Sequence, residues 1–213
     1  MSTKKLTTIG VLCAMAIALT MTLRFPMLPT VSYLKYDPKD IVIVVGGFIY
    51  GPMTALLMST ICSGLEIMFR GGNVLDMLMN VISTCSFACT AAYIYKRNKT
   101  KKGAVTGLFC GVILATISMA LWNYIITPIY LHIPREAVAS MLIPGYIPFN
   151  LLKSSINAGM TLFLYKPLVN ILRHSRLVEK GDSQGHESKG MLILGVFIVL
   201  TALCIVLAFN GTI

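Results

Sequence analysis

Long apolar runs, one after another, are the feature that most constrains the fold of this chain. Hydrophobic residues make up 56% of its 213 residues and charged residues only 12%, which is about half of the charged share in soluble domains. Because a membrane-spanning helix needs about 20 apolar residues, the length allows about six or seven spans and leaves no room for a separate soluble domain. The sequence therefore predicts an all-α, polytopic membrane helical bundle.

Prolines, glycines and charged stretches divide these runs into seven predicted spans. The spans cover residues 6–25, 41–50, 53–69, 73–95, 104–127, 149–172 and 191–209. Gly51-Pro52 separates the second span from the third, because one helix across both would be too long for the bilayer. The stretch 26–39 is predicted to be a loop. The polar, proline-marked stretch 128–148 is predicted to connect spans five and six. This division gives three parts: a six-span core in residues 1–172, a cytoplasmic linker in 173–190 and an extra transmembrane segment in 191–213.

The positions of the basic residues predict that the N-terminus lies in the cytoplasm. With that orientation, most of the 18 lysines and arginines fall on the cytoplasmic side, including the basic run from Lys96 to Lys102. Cytoplasmic loops of membrane proteins carry such an excess. The net charge of +10 is therefore a topology signal rather than a nucleic-acid-binding face, which would need a solvated basic surface. The loop after span one and the connection between spans five and six then lie outside.

Motifs of ATP hydrolysis and of enzyme catalysis are absent from the sequence. It contains no G-x-x-x-x-G-K-[ST], no G-x-S-x-G and no H-E-x-x-H. The three histidines lie in predicted loops, and the six cysteines lie in apolar runs without metal-ligand spacing. We therefore predict no catalytic and no metal-binding residues, and transport by this chain would need energy from another subunit.

Three polar side chains at the outer ends of spans five and six form the first candidate site. Asn123 follows Trp122 near the end of span five, while Asn150 and Lys153 begin span six and share one helix face. The asparagines could cap helices or join helices, and Lys153 could snorkel to the headgroups. Alternatively the three form a ligand pocket, because a carboxamide offers a donor and an acceptor that match the C=O and N–H edge of a pyrimidine-dione.

The outer loop 26–39 is the second candidate, because it is rich in apolar and aromatic residues that water would not favour. It either lies on the bilayer interface, where tyrosines are favoured, or folds over the mouth of the bundle as a lid. Asp37 and Asp40 flank Pro38 just before span two. One of these carboxylates is expected to cap that helix.

Two spacings of four residues complete the set of candidates. Span one carries a row of small residues at steps of four, namely Gly10, Ala14, Ala18 and Thr22. Such a row lets another helix approach closely, either within this chain or from a separate membrane subunit. Glu66 and Arg70 near the outer end of span three stand in the order that favours an ion pair along one helix; contact with a ligand is the alternative.

Four segments in the first 172 residues carry a resemblance to a known family. They are Tyr33-Leu-Lys-Tyr-Asp-Pro-Lys-Asp40, Gly51-Pro52, Trp122-Asn123-Tyr124 and Pro148-Phe-Asn-Leu-Leu-Lys153. In these segments the chain resembles the riboflavin-specific substrate-binding (S) components of bacterial energy-coupling factor (ECF) vitamin transporters. The resemblance implies a non-enzymatic, multi-pass subunit of the bacterial cell membrane that captures riboflavin outside. It also implies docking on a transmembrane coupling subunit driven by two cytoplasmic ATPases, which would use the ATP; an S component for flavin mononucleotide or another vitamin is the alternative.

The resemblance also assigns roles to particular residues. It implies that Asn123, Asn150 and Lys153 contact the flavin ring. Contacts and cover would come from the loop segment that contains Leu34, Tyr36, Asp37 and Lys39. Ala14 and Ala18 match the family's Ala-x-x-x-Ala docking pattern. The chain departs from the family at Lys39, where a small hydroxyl residue is commoner, and in its extra segment 191–213.

Overall fold

A computed structural model describes residues 3–175, 177 and 189–209 of the chain, and these residues fold into a bundle of eight α-helices. The helices are α1 (Thr3–Thr22), α2 (Lys39–Tyr50), α3 (Pro52–Arg70), α4 (Val74–Arg97), α5 (Lys101–Leu131), α6 (Arg135–Met141), α7 (Ile147–His174) and α8 (Lys189–Phe209). No strand occurs among the described residues. The predicted all-α membrane bundle is confirmed.

Local sequence signals set the ends of α2, α3 and α4. Gly51 adopts a φ of 96°, which glycine tolerates because it has no Cβ, and Pro52 follows it at the first position of α3. Asn73 and Asp76 form a reciprocal capping box at the start of α4, with hydrogen bonds of 2.9 and 3.0 Å. The predicted division between spans two and three is thereby confirmed.

Four helices among the described residues, α1, α3, α4 and α5, are both long and apolar enough to cross a membrane. The predicted second span is shorter, because the 12 residues of α2 extend over only about 18 Å at about 1.5 Å per residue. Helix α7, with 28 residues, is long enough to cross a membrane. It is not one of those four helices, and it carries several of the polar side chains at the site described below.

The predicted end of span five at Thr127 is wrong, and the proline-marked connection 128–148 is mostly helical. Helix α5 continues through Pro128 to Leu131 and ends at His132, which has a left-handed φ of 54°. Helix α6 and a π-helical segment, Leu142–Tyr146, then lead directly into α7. A proline removes one backbone hydrogen bond, and packed membrane helices can tolerate that loss, so proline alone does not define a loop.

The loop between α1 and α2 is folded against the bundle. Its apolar residues Met27, Leu28 and Val31 are fully or almost fully buried, in one cluster with Tyr146 and Phe149. The loop is held by the backbone hydrogen bond from Tyr36 to Phe25, at 2.8 Å. Burial of these side chains favours the lid interpretation of this loop over a position on the bilayer interface.

Glycines bring neighbouring helices close together at two places. A Cβ on Gly107 of α5 would lie 2.7 Å from the backbone oxygen of Ala91 in α4, so only glycine allows this close packing. Helices α7 and α8 meet in the same way, because a Cβ on Gly159 or Gly195 would lie 2.8 Å from the oxygen of the other glycine. The predicted C-terminal segment thus contains a helix packed on α7, whereas residues 178–188 and 210–213 lie outside the described residues.

Candidate ligand-binding site

A cavity of about 530 Å³ lies where the loop between α1 and α2 meets α3, α4, α5 and α7. Its volume is within the range of about 300 to 1,000 Å³ that is typical of small-molecule sites. Apolar side chains form much of its wall, among them Leu34, Met79, Met119, Ile126 and Phe149. Polar and charged side chains occupy the remainder, so the cavity suits a ligand that has both apolar surface and polar groups.

The structure brings Asn123, Asn150 and Lys153 together at this cavity, and we call them the recognition cluster. All three residues are buried. The Nδ2 atoms of the two asparagines donate to backbone oxygens one turn earlier in their helices, at 2.7 Å to Met119 and 2.8 Å to Tyr146. These bonds use one of the two N–H donors of each carboxamide. Both asparagines therefore keep donor capacity for a ligand.

Lys153 is held loosely by its protein neighbours. Its Nζ lies 3.3 Å from the hydroxyl of Ser83 and 3.5 Å from Oδ2 of Asp40. Both distances are long for a hydrogen bond to an ammonium group, and an ammonium has three N–H donors. Lys153 can therefore donate to a ligand without first breaking a strong bond.

The four loop residues assigned by the family resemblance divide into two pairs. Leu34 and Asp37 line the cavity. Tyr36 does not line it: its hydroxyl donates to Oδ1 of Asn157 at 2.7 Å, in the interior. Burial and the neighbouring carboxylates raise the pKa of Tyr36, so the phenol stays protonated as a donor. Lys39 does not line the cavity either.

The Lys39 side chain is fully buried among carboxylates. Its ammonium forms ion pairs with Asp37 and, at 2.7 Å, with Glu66, and it donates to Oδ1 of Asn80 at 3.0 Å. Three acceptors satisfy its three N–H donors. We call this group the Lys39 cluster and include the two further residues bonded to it, so that its members are Thr20, Arg24, Asp37, Lys39, Glu66 and Asn80.

The carboxylates of the Lys39 cluster are also fully bonded. Burial by itself raises the pKa of Asp37, but the ammonium groups of Lys39 and Lys153 outweigh it and hold that pKa below its ordinary value. Oδ1 of Asp37 also accepts from the Thr20 hydroxyl at 2.9 Å. Oε1 of Glu66 accepts from Arg24 at 2.6 Å. The cluster therefore joins the loop to α1 and α3 at the edge of the cavity.

The predicted ion pair between Glu66 and Arg70 is wrong. Glu66 is buried and pairs with Arg24 and Lys39, whereas Arg70 donates to the backbone oxygen of Thr20. Spacing along one helix could not reveal these partners, because they come from the preceding loop and from the first residue of α2. The only signal in the sequence was the presence of several charged residues near the outer ends of the spans.

The small residues of α1 point away from the rest of the chain. Gly10, Ala14, Ala18 and Thr22 are all exposed, and a Cβ on Gly10 would meet nothing within 4 Å. The alternative that this row packs within the chain is therefore wrong. An exposed row of this kind leaves room for close approach by another helix.

The fold and the cavity define a class of protein: a membrane-embedded helical bundle that binds a small molecule at one end of its helices. The chain belongs to the family of ECF transporter substrate-specific components, because the model of that family matches residues 4–165. The resemblance inferred from the sequence is thus confirmed. Membership in a family of transport components also agrees with the prediction that the chain is not an enzyme.

Two bacterial proteins and a solved structure are similar to this chain. It is 30% identical over 176 residues to the "Riboflavin transporter RibU" of Staphylococcus aureus, covering 80% of this chain and 93% of that protein. It is 30% identical over 166 residues to the "Riboflavin transporter FmnP" of Bacillus subtilis, covering 73% and 87%. A solved structure described as the S component of a bacterial ECF transporter superposes with a TM-score of 0.68 at 29% identity, covering 80% of this chain and 98% of the other.

Proposed function

We propose that this chain is the substrate-binding subunit of an ECF importer and that its substrate is riboflavin. One observation carries the proposal: Asn123, Asn150 and Lys153, from two helices, converge with unused donors on one cavity beneath the loop. Family membership and the relatives that are named riboflavin transporters support it. The chain would bind and release its substrate without making or breaking a covalent bond.

The chemistry of the cavity fits both the apolar faces and the polar edge of a flavin ring system. Its apolar side chains can cover the flat faces of the ring, and burial of that surface is favourable. The carboxamides and the ammonium can pair with the carbonyl oxygens and the ring N–H at the pyrimidine edge. A ring without this edge would leave buried polar groups unpaired, which costs about 1 to 3 kcal/mol for each group.

The cavity would face the outside of the cell, with the N-terminus in the cytoplasm. The opposite end of the bundle carries the basic run between α4 and α5, and there Lys5 lies 5.3 Å from the ring centre of Tyr50. A basic end of this kind is typical of the cytoplasmic side. A cysteine-reactive reagent that cannot cross the membrane should label a cysteine introduced at Lys35 in intact cells, but not one introduced at Lys99.

Direct titration tests the proposed substrate. The chain purified in detergent should bind riboflavin in a saturable way and quench its fluorescence, whereas vitamins without a pyrimidine-dione edge should not compete. Flavin mononucleotide is included as a ligand, because Lys35 and Arg70 line the same cavity and could pair with a phosphate. Tighter binding of the phosphate ester would make that ester the substrate, and absence of any flavin binding would contradict the proposal.

A coupling subunit in the membrane, with two cytoplasmic ATPases, would dock on α1 at Ala14 and Ala18. Ala14→Leu or Ala18→Leu should prevent co-purification with this subunit, because a larger side chain keeps the helices apart. Riboflavin affinity should stay unchanged, since neither alanine lines the cavity. Leu6→Ala on the same helix, which makes an exposed side chain smaller, is the control. Normal assembly of both leucine variants would contradict docking at this row.

A further inference from the structure

Asp40, on the first turn of α2, joins three parts of the molecule through one buried carboxylate. Its Oδ1 accepts from the hydroxyl of Thr84 in α4 at 2.6 Å. Its Oδ2 accepts from Nδ2 of Asn157 at 3.3 Å and lies 3.5 Å from Nζ of Lys153, both in α7. Asp40 itself does not line the cavity, so it stands behind the recognition cluster rather than in contact with a ligand.

The carboxylate of Asp40 is the acidic group nearest to the ammonium of Lys153 in the described part of the chain. Asp40 is the only acidic residue that the described part of the chain brings within ion-pair distance of Lys153. The other partner of Lys153 is the neutral hydroxyl of Ser83. A buried ammonium without a carboxylate is costly, and a long lysine side chain can move its head toward water. Loss of the Asp40 carboxylate would therefore let the Nζ of Lys153 move away from its position at the cavity wall.

Asn157 connects the same carboxylate to the loop that covers the cavity. Its Nδ2 donates to Asp40 and, at 3.1 Å, to the backbone oxygen of Asp37, while its Oδ1 accepts from the Tyr36 hydroxyl. Thr84, on the other side, is fully buried and has no role at the cavity wall. Asp40 thus contacts the ammonium of Lys153 directly and is connected to the end of the loop through Asn157.

We propose that Asp40 is a positioning residue for flavin binding, which orients the ammonium of Lys153 toward the polar edge of the bound ring. This inference rests on the proposed function, because it assumes that riboflavin occupies the cavity. It assigns to Asp40 an effect on the ligand that passes through Lys153. A purely structural carboxylate would affect the fold but would not act through this lysine.

A double-mutant cycle on the full chain separates these two roles. The variants are Asp40→Asn, Lys153→Met and the combination, and the measurement is the riboflavin dissociation constant by fluorescence quenching. Asp40→Asn should weaken riboflavin binding about tenfold or more when Lys153 is present, and less than about twofold when Lys153 is already methionine. The reason is that the effects of two substitutions on the binding free energy are not additive when the two residues interact. Equal losses in both backgrounds would overturn the inference.

The absorption spectrum of the bound flavin provides a second readout. Hydrogen bonds to the ring change its visible band, so the band in Asp40→Asn should move toward that in Lys153→Met. Thr161→Val is the matched control: Thr161 is buried in the same helix and donates to the backbone oxygen of Asn157 at 2.7 Å, away from the cavity. It should leave the flavin spectrum unchanged.

Two further outcomes complete the design. If Asp40→Asn does not fold, Asp40→Glu keeps the charge but displaces it by one methylene, and the same dependence on Lys153 is expected; its absence would overturn the inference. If the unsubstituted chain binds riboflavin but the effects of Asp40→Asn and Lys153→Met on affinity are additive, only the role of Asp40 is contradicted. Failure of the unsubstituted chain to bind any flavin would overturn the role of Asp40 together with the proposed function.

Discussion

Two groups of mostly buried polar residues lie side by side at the same end of this bundle, and they differ in how fully their hydrogen-bonding groups are paired. In the Lys39 cluster the ammonium has three acceptors, and the carboxylate of Glu66 accepts from three different side chains. In the recognition cluster the asparagines form hydrogen bonds only within their own helices: both donate to a backbone oxygen, and Asn123 also accepts from the hydroxyl of Thr127. Lys153 has two long contacts.

From this difference we predict that the Lys39 cluster is structural and that the recognition cluster binds the ligand. Both clusters contain a buried lysine and at least one asparagine, so composition cannot tell them apart. A group whose hydrogen bonds are all satisfied gains little from a ligand, whereas a group with unused donors gains a partner when the ligand arrives. We therefore expect substitutions in the Lys39 cluster to change stability, and substitutions in the recognition cluster to change affinity.

The largest effect is expected for Lys39→Met. The substitution leaves Asp37 and Glu66 without their shared counter-ion in the interior, and loss of one partner of a buried ion pair costs about 3 to 5 kcal/mol. Thermal and denaturant unfolding in detergent measure the change. Lys102→Met, at an exposed position on α5, is the control, and equal stability of the two variants would place Lys39 outside the structural group.

An intermediate effect is expected for Asn150→Ala and Lys153→Ala, and it should appear in affinity. Each variant leaves a polar atom of the ligand edge unpaired in a buried site, which lowers riboflavin affinity by about 1 to 3 kcal/mol. The free energy of unfolding should fall less in these variants than in Lys39→Met. Asn98→Ala, at the cap of α4 on the opposite end, is the matched control. Unchanged riboflavin affinity in both variants would remove the distinction between the clusters.

The smallest effect is expected for Arg24→Gln. Arg24 bonds to Glu66 at 2.6 Å, but its side chain is 30% exposed, and partly exposed ion pairs contribute about 0 to 1 kcal/mol. Glu66 also keeps its bonds to Lys39 and Asn80. Unfolding at low and high salt tests this, because salt should remove most of the difference from the unsubstituted chain. A loss of unfolding free energy as large as that of Lys39→Met would show that solvent does not screen the ion pair between Arg24 and Glu66.

Hydropathy and the positions of glycines and prolines in the sequence were sufficient to predict the fold class and several helix ends. Apolar runs predicted a membrane bundle, and Gly51-Pro52 predicted the break between α2 and α3. These are local properties, because a spanning helix bonds its own backbone and a positive φ favours glycine. The stretch 128–148 was not predictable in this way, since packing decides whether a proline ends a membrane helix.

The sequence by itself determined which residues are costly to bury, among them Asn123, Asn150, Lys153 and Lys39. Only the tertiary structure decided which of these residues are satisfied by neighbours, because the partners come from other helices: Glu66 and Asn80 for Lys39, and Asp40 for Lys153. Hydrogen bonds and ion pairs depend on distances of a few ångströms between segments that are far apart in the chain. Spacing along one helix does not contain that information.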